Sequence, residues 1–236
     1  KAMFHYRWNY QADIDKAGQM LPRWNNLTAS DEEMSIKGEE ISELQISRLR
    51  YVGSNEVTRD IIEQSFLRFL TLFDMHLNSF PFLLGRRPGS CDFAFYGQLT
   101  CMALFDPTPQ RLILERAPRV YAWTEVMEDL SGHEALEDDW VVNSAEINQL
   151  PESLTAILSE IGSIYVTYLL ANAAAAEKQL VQFKTRIGGK DWEQQTFPYQ
   201  YKCLTWLKEE WSALDTKQSA QFGQLISKTG VSDLFN

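Results

Sequence analysis

One segment constrains the fold more than any other. Between Asn55 and Asn78, Val57, Ile61, Ile62, Phe66, Phe69, Leu70, Phe73 and Leu77 recur mainly at spacings of three and four. That period puts a broad apolar face along one helix, wide enough to be central to a helical core. Its neighbours agree with it. Residues 1–21 read as a helix with Phe4, Trp8, Ala12 and Ile14 on one face, ended by a break over 22–30. Ser30 followed by Glu33 is a capping-box pattern opening a charged, weakly amphipathic stretch to Arg50, in which Gly38 weakens the helical signal. A run from Ser90 to Phe105 carries few charges on any side, which predicts a buried helix. Short helices follow at 110–116 and 118–130, and Pro151 opens one long helix to about residue 182.

The period then changes. Val181, Phe183, Thr185 and Ile187 alternate, Gly188-Gly189 supplies a two-residue turn, and Trp192 falls in the return strand. A lone hairpin over 181–197 needs a surface to lie on, so it is expected to pack on the helical bundle. Helices at 198–214 and 220–228 close the chain. The expected fold is all-α with one added hairpin and extra C-terminal helices. The expected division is a helical domain at 1–130 and an extension at 131–236.

Composition narrows function by exclusion. The 236 residues carry 22 Lys and Arg against 32 Asp and Glu, a net charge of −10, which argues against a nucleic-acid partner. No stretch reaches the roughly 18 apolar residues of a membrane span. The nearest, 164–176, is interrupted by Thr167 and Asn172, so a soluble chain without a membrane partner is expected. Cys91, Cys101 and Cys203 are odd in number and lack paired spacing. Reduced thiols and a cytoplasmic location are the expectation. His5, His76 and His133 are scattered, so no metal site is expected. The acidic residues Glu128, Asp129, Glu134, Glu137, Asp138 and Asp139 lack the alternation of a calcium loop and read as a solvated face. Gly188-Gly189 is followed by no phosphate-loop pattern, the Arg86-Arg87 pair reads as solvated, and nothing in the sequence assembles a serine triad. The first residues read as if the chain were entered in mid-element, which predicts a piece of a longer protein.

The stretch from Phe82 to Gly97, FLLGRRPGSCDFAFYG, carries a leucine-glycine turn, an aspartate at the third helical position, and then the uncharged helix. It resembles the C-terminal domain of glutathione S-transferases. Asp92 matches the family's capping aspartate, whereas Gly89 stands where the family has Ser or Thr and lacks the side-chain acceptor. Asp106-Pro107, the run from Ala117 to Trp123, the peptide His5–Trp8 and the late segment 198–207 are similar to further parts of a bacterial-type subgroup.

The resemblance implies a helical domain that follows a thioredoxin-like domain absent from this chain. That domain would bind glutathione as co-substrate and supply the thiol-activating residue, so the catalytic residue is unknown here and none is expected in this chain. The helical part would form the wall of the pocket for a small electrophilic substrate and help build a homodimer. The position the family uses for that wall falls on Tyr6, Arg7, Trp8 and Tyr10, with Arg7 able to hold an anion. Aromatic residues at helical spacing serve a core or an interface equally well. Asp92 reads as structural, because capping accounts for it. The rival expectation is a non-catalytic protein-interaction or ligand-binding module on the same fold.

Overall fold

The computed structural model describes residues 1–136, 139–140 and 149–236. They form a mainly helical molecule with one two-stranded antiparallel sheet. The expected first helix is two: α1 (Ala2–Asn9) and α2 (Gln11–Asn25), separated by extended Tyr10. α2 continues through Pro22. Proline there cannot donate to the carbonyl of Gly18, and that oxygen faces α3 (Asp31–Ser47) at Gly38. A methyl group on Gly38 would lie 2.4 Å from the Gly18 oxygen. Gly38 therefore permits the close crossing of α2 and α3 without ending its helix. Ser30 caps α3, its hydroxyl accepting from the Glu33 amide at 3.2 Å.

A 3-10 turn (Leu49–Val52) ends at left-handed Gly53, where a side chain would collide with the Trp192 indole at 2.5 Å. Asn55 then turns the chain, accepting from the Val57 and Thr58 amides, so α4 (Arg59–His76) starts later than its apolar period and leaves Val57 exposed.

α5 (Ser90–Leu99) runs into a wide π turn (Thr100–Phe105). This segment is not buried all round: Asp92, Leu99, Met102 and Ala103 face the core, while Ala94, Gly97, Gln98 and Phe93, 52% exposed, face outward. Lack of charge indicated burial, yet among the described residues only one side is covered. α6 (Pro107–Arg116) begins three residues before the expected start at 110, with Pro107 in its first turn, and α7 (Pro118–Glu128) follows. Of the acidic group, Glu137 and Asp138 lie outside the described residues. Glu128 accepts from the Tyr96 and Thr100 hydroxyls.

α8 (Glu152–Glu160), a π turn (Ile161–Val166) and α9 (Thr167–Glu177) make one continuous helical rod. At 26 residues and a mean hydropathy of 1.5 it is long and apolar enough to cross a bilayer, longer than the interrupted run read from the sequence. Within the fold it is a spine: Ile157 enters one apolar cluster, and Val166, Tyr168, Leu169 and Ala173 enter the other. β1 (Gln182–Ile187) and β2 (Lys190–Gln195) pair with Phe183 opposite Gln194 and Ile187 opposite Lys190. Gly188 and Gly189 have φ of 54° and 80°, the mirror-image turn that suits a two-residue loop. Phe183, Ile187 and Trp192 lie against α9 and Ile61 and Ile62 of α4. α10 (Pro198–Ala213) buries Leu204, and α11 (Thr216–Ile226) is capped by Asp215. Trp211 stacks on Phe235 at 4.1 Å in the final 3-10 turn (Val231–Phe235).

Candidate functional site

The residues expected to face a substrate all lie at or beside α1, and the fold turns them inward. Tyr6 is buried, edge-on to Phe66 and stacked on Tyr10 with centroids 5.5 Å apart. Burial pushes its phenol up, and Glu63 adds to that. Trp8 is buried as well. Arg7 forms a fork with Asp106, Nε to Oδ1 at 2.7 Å and Nη2 to Oδ2 at 3.0 Å, and lies 4.9 Å from the Phe105 ring. Burial pulls the guanidinium down, but Asp106 outweighs it and holds the group above its ordinary value. Burial raises the Asp106 carboxyl, with Arg7 opposing. A guanidinium already matched to a fully buried carboxylate is not available to an anionic substrate. Clefts lie between α2 and α3, between α9 and α10, and along the hairpin, and Tyr6, Arg7, Trp8 and Tyr10 line none of these.

The start of α5 is held by Gly89 and Asp92. Gly89 supplies only backbone, so half of the reciprocal box is missing. Asp92, fully buried, accepts from the Gly89 amide through Oδ2 at 2.9 Å. Its other oxygen accepts from the Leu83 amide at 2.9 Å and pins the preceding turn. A side chain on Gly89 would press the Trp140 ring at 3.2 Å, a physical reason for glycine at this cap.

A polar constellation not predicted from sequence surrounds His5. Its Nδ1 lies 2.8 Å from Ser54 Oγ and its Nε2 3.1 Å from Glu63 Oε1. Tyr10 donates its hydroxyl to the same Glu63 oxygen, and burial followed by Glu63 pushes the Tyr10 phenol up to about 12. Asn9 Nδ2 donates to Ser54 Oγ at 3.2 Å and to the His5 carbonyl at 2.8 Å. A carboxylate can only accept, so Nε2 carries the ring proton and Nδ1 accepts from the serine hydroxyl. Three elements meet here: α1, the loop after Gly53, and α4. Their separation along the chain hid the arrangement.

A second buried histidine, His76, lies 3.0 Å from Ser153 Oγ and 3.1 Å from the Phe82 carbonyl, joining α4 to α8 and to the turn before α5. Among the described residues, no group of three or more His, Cys, Asp or Glu is placed to hold a metal ion. No family model, curated protein or solved structure matches the chain.

Proposed function

We propose that this chain is the helical part of a glutathione-transferase-like protein that conjugates or reduces small electrophiles with glutathione. In the complete cytoplasmic protein, a thioredoxin-like domain binds glutathione and activates its thiol. This part supplies apolar wall for the electrophile and a share of a homodimer contact. It needs no nucleic acid, membrane or metal.

The observation that carries the reading is the Asp92 cap. The carboxylate closes the start of α5 and ties down the turn before it, the role the matching aspartate has in the resembling family. Asp106-Pro107 and Pro118 open the next two helices, and Trp123 of the second lies in the core. α1 turns Tyr6 and Trp8 inward, and no residue of this chain is assigned a catalytic role in the conjugation.

The test is made on the polypeptide isolated from its natural source. A mass above 27.2 kDa by about one small domain, on the order of 10 kDa, is expected. Glutathione-dependent conjugation of a chlorodinitrobenzene should accompany it. Failure both to bind immobilised glutathione and to turn over any electrophile overturns the reading.

One observation favours a second reading, a non-catalytic interaction or ligand-binding module. The polar groups of Arg7 and Tyr10, the expected pocket residues, are matched internally. A co-purifying protein or small molecule, with no glutathione retention, is its expected signature.

A further inference from the structure

The constellation around His5 has the order of an acyl-transfer relay, and it is independent of the transferase reading. The geometry points to Ser54 as a nucleophile, with His5 as its general base, Glu63 orienting the imidazole, and a small carboxylic ester as substrate.

The proton path is continuous. Ser54 O–H donates to His5 Nδ1 at 2.8 Å, and His5 Nε2–H donates to Glu63 at 3.1 Å. The ring is used in the opposite sense to the common serine-enzyme arrangement, but both nitrogens can exchange a proton, so roles rather than ring positions matter. Burial holds His5 below its ordinary value, with Glu63 opposing, which keeps the imidazole neutral and able to accept at neutral pH. Tyr10 and Asn9 fix the two ends, Tyr10 through Glu63 and Asn9 through Ser54 Oγ. The Asn9 amide, which also lies 3.3 Å from His5 Nδ1, holds the serine hydroxyl beside the imidazole.

Access comes from one side. Ser54 is only 5% exposed, yet it lines a cleft of about 440 Å³ shared with Arg50, Tyr51, Asn55, Gln194 and Gln195. That volume suits a small molecule. Gly53, clamped against Trp192, sets the turn that presents Ser54 there.

The chemistry balances without any added reagent but water. Ser54 Oγ bonds to the ester carbon while His5 Nδ1 takes the hydroxyl proton. The ester C–O bond breaks, and that proton goes to the departing alkoxide to give an alcohol. Water then attacks the acyl-serine, loses its proton to His5, and releases a carboxylic acid as the proton returns to Ser54.

The first experiment treats the intact chain with a fluorophosphonate, which forms an Oγ–P bond and expels fluoride. Peptide mass analysis should place the adduct on Ser54, and p-nitrophenyl acetate should give a burst of one nitrophenolate per chain. The labelling rate should rise with pH as His5 loses its proton. It should drop about 100-fold or more in His5→Gln and disappear in Ser54→Ala. Glu63→Gln should slow labelling and displace the pH profile. A wild-type chain that stays unlabelled at Ser54 overturns the proposal, and needs no variant to fold. Labelling of Ser54 at a rate independent of pH, or unchanged in a folded His5→Gln chain, overturns it too.

Discussion

Asp92 shows how much one buried carboxylate can organise. It satisfies two backbone amides from different turns, Gly89 and Leu83, in a site closed to water. Asp92→Ala leaves both amides unpaired, and a buried unsatisfied group costs about 1–3 kcal/mol. The expected loss is about 2–4 kcal/mol, read by urea denaturation. A change under about 0.5 kcal/mol would remove Asp92 from this role. The residue was legible because a capping box is local, three positions apart. Arg7 with Asp106 was not, because its partners lie on α1 and at the start of α6 and no spacing rule joins them. The same holds for His5, Ser54 and Glu63. Histidines also set a pH dependence. Burial lowers both His5 and His76, opposed by Glu63 at the first and by the Phe82 carbonyl at the second. A base whose folded pKa lies below its unfolded value binds fewer protons when folded. Stability is then full above the ordinary histidine range and is lost as pH falls through it toward the folded value. The melting temperature should decline between about pH 7 and about pH 5, and His76→Gln should flatten part of that slope. An identical slope in the variant would assign it to other groups.

At the scale of elements, hydropathy periods located most of the helices and the hairpin, and contact geometry decided where they bend and what they face. Gly38 weakened the helical signal in sequence, yet its lack of a side chain is what lets α3 approach the Gly18 carbonyl. Gly38→Ala forces a methyl group to within 2.4 Å of that backbone oxygen. Overpacking of this kind costs about 1–3 kcal/mol, measurable by thermal unfolding, whereas the same change at Gly223, which meets nothing nearby, should not destabilise. The end of α9 offers the reverse case. Gln179 sits at φ 55°, in the left-handed position where the Leu180 amide returns to the Ala175 carbonyl at 2.9 Å. Glycine relieves that conformation but loses more entropy on folding, so Gln179→Gly should stabilise by up to about 1 kcal/mol. A lower melting point would show that the glutamine side chain contributes there. The outward face of α5 escaped sequence reasoning for a plain reason. An uncharged helix reads as buried, but burial depends on which neighbours arrive, and that is a tertiary fact.

Across the whole molecule, two apolar clusters interlock through borrowed residues. The first holds Tyr6, Phe66, Phe73, Phe82 and Trp123 and takes Ile157 from α8. The second holds Tyr168, Phe183, Trp192 and Leu204 and takes Ile61 and Ile62 from α4. The expected partition at residue 130 follows the sequence resemblance, whereas the apolar clusters extend across it. Glu160 reinforces the join, accepting from Arg68 and Ser65 of α4. A fragment of residues 1–130 would strand Ile61 and Ile62, each worth about 1.5–3 kcal/mol of burial. It would also lose Ile157 from its own core. Those losses are large against a total stability of about 5–15 kcal/mol. The full chain should therefore unfold in one transition, with far- and near-ultraviolet circular dichroism coincident. The 1–130 fragment should show helix without a cooperative melt. A fragment that melts cooperatively near the full chain's midpoint would make the first cluster self-sufficient, with α8, α9 and the hairpin laid on an already stable bundle.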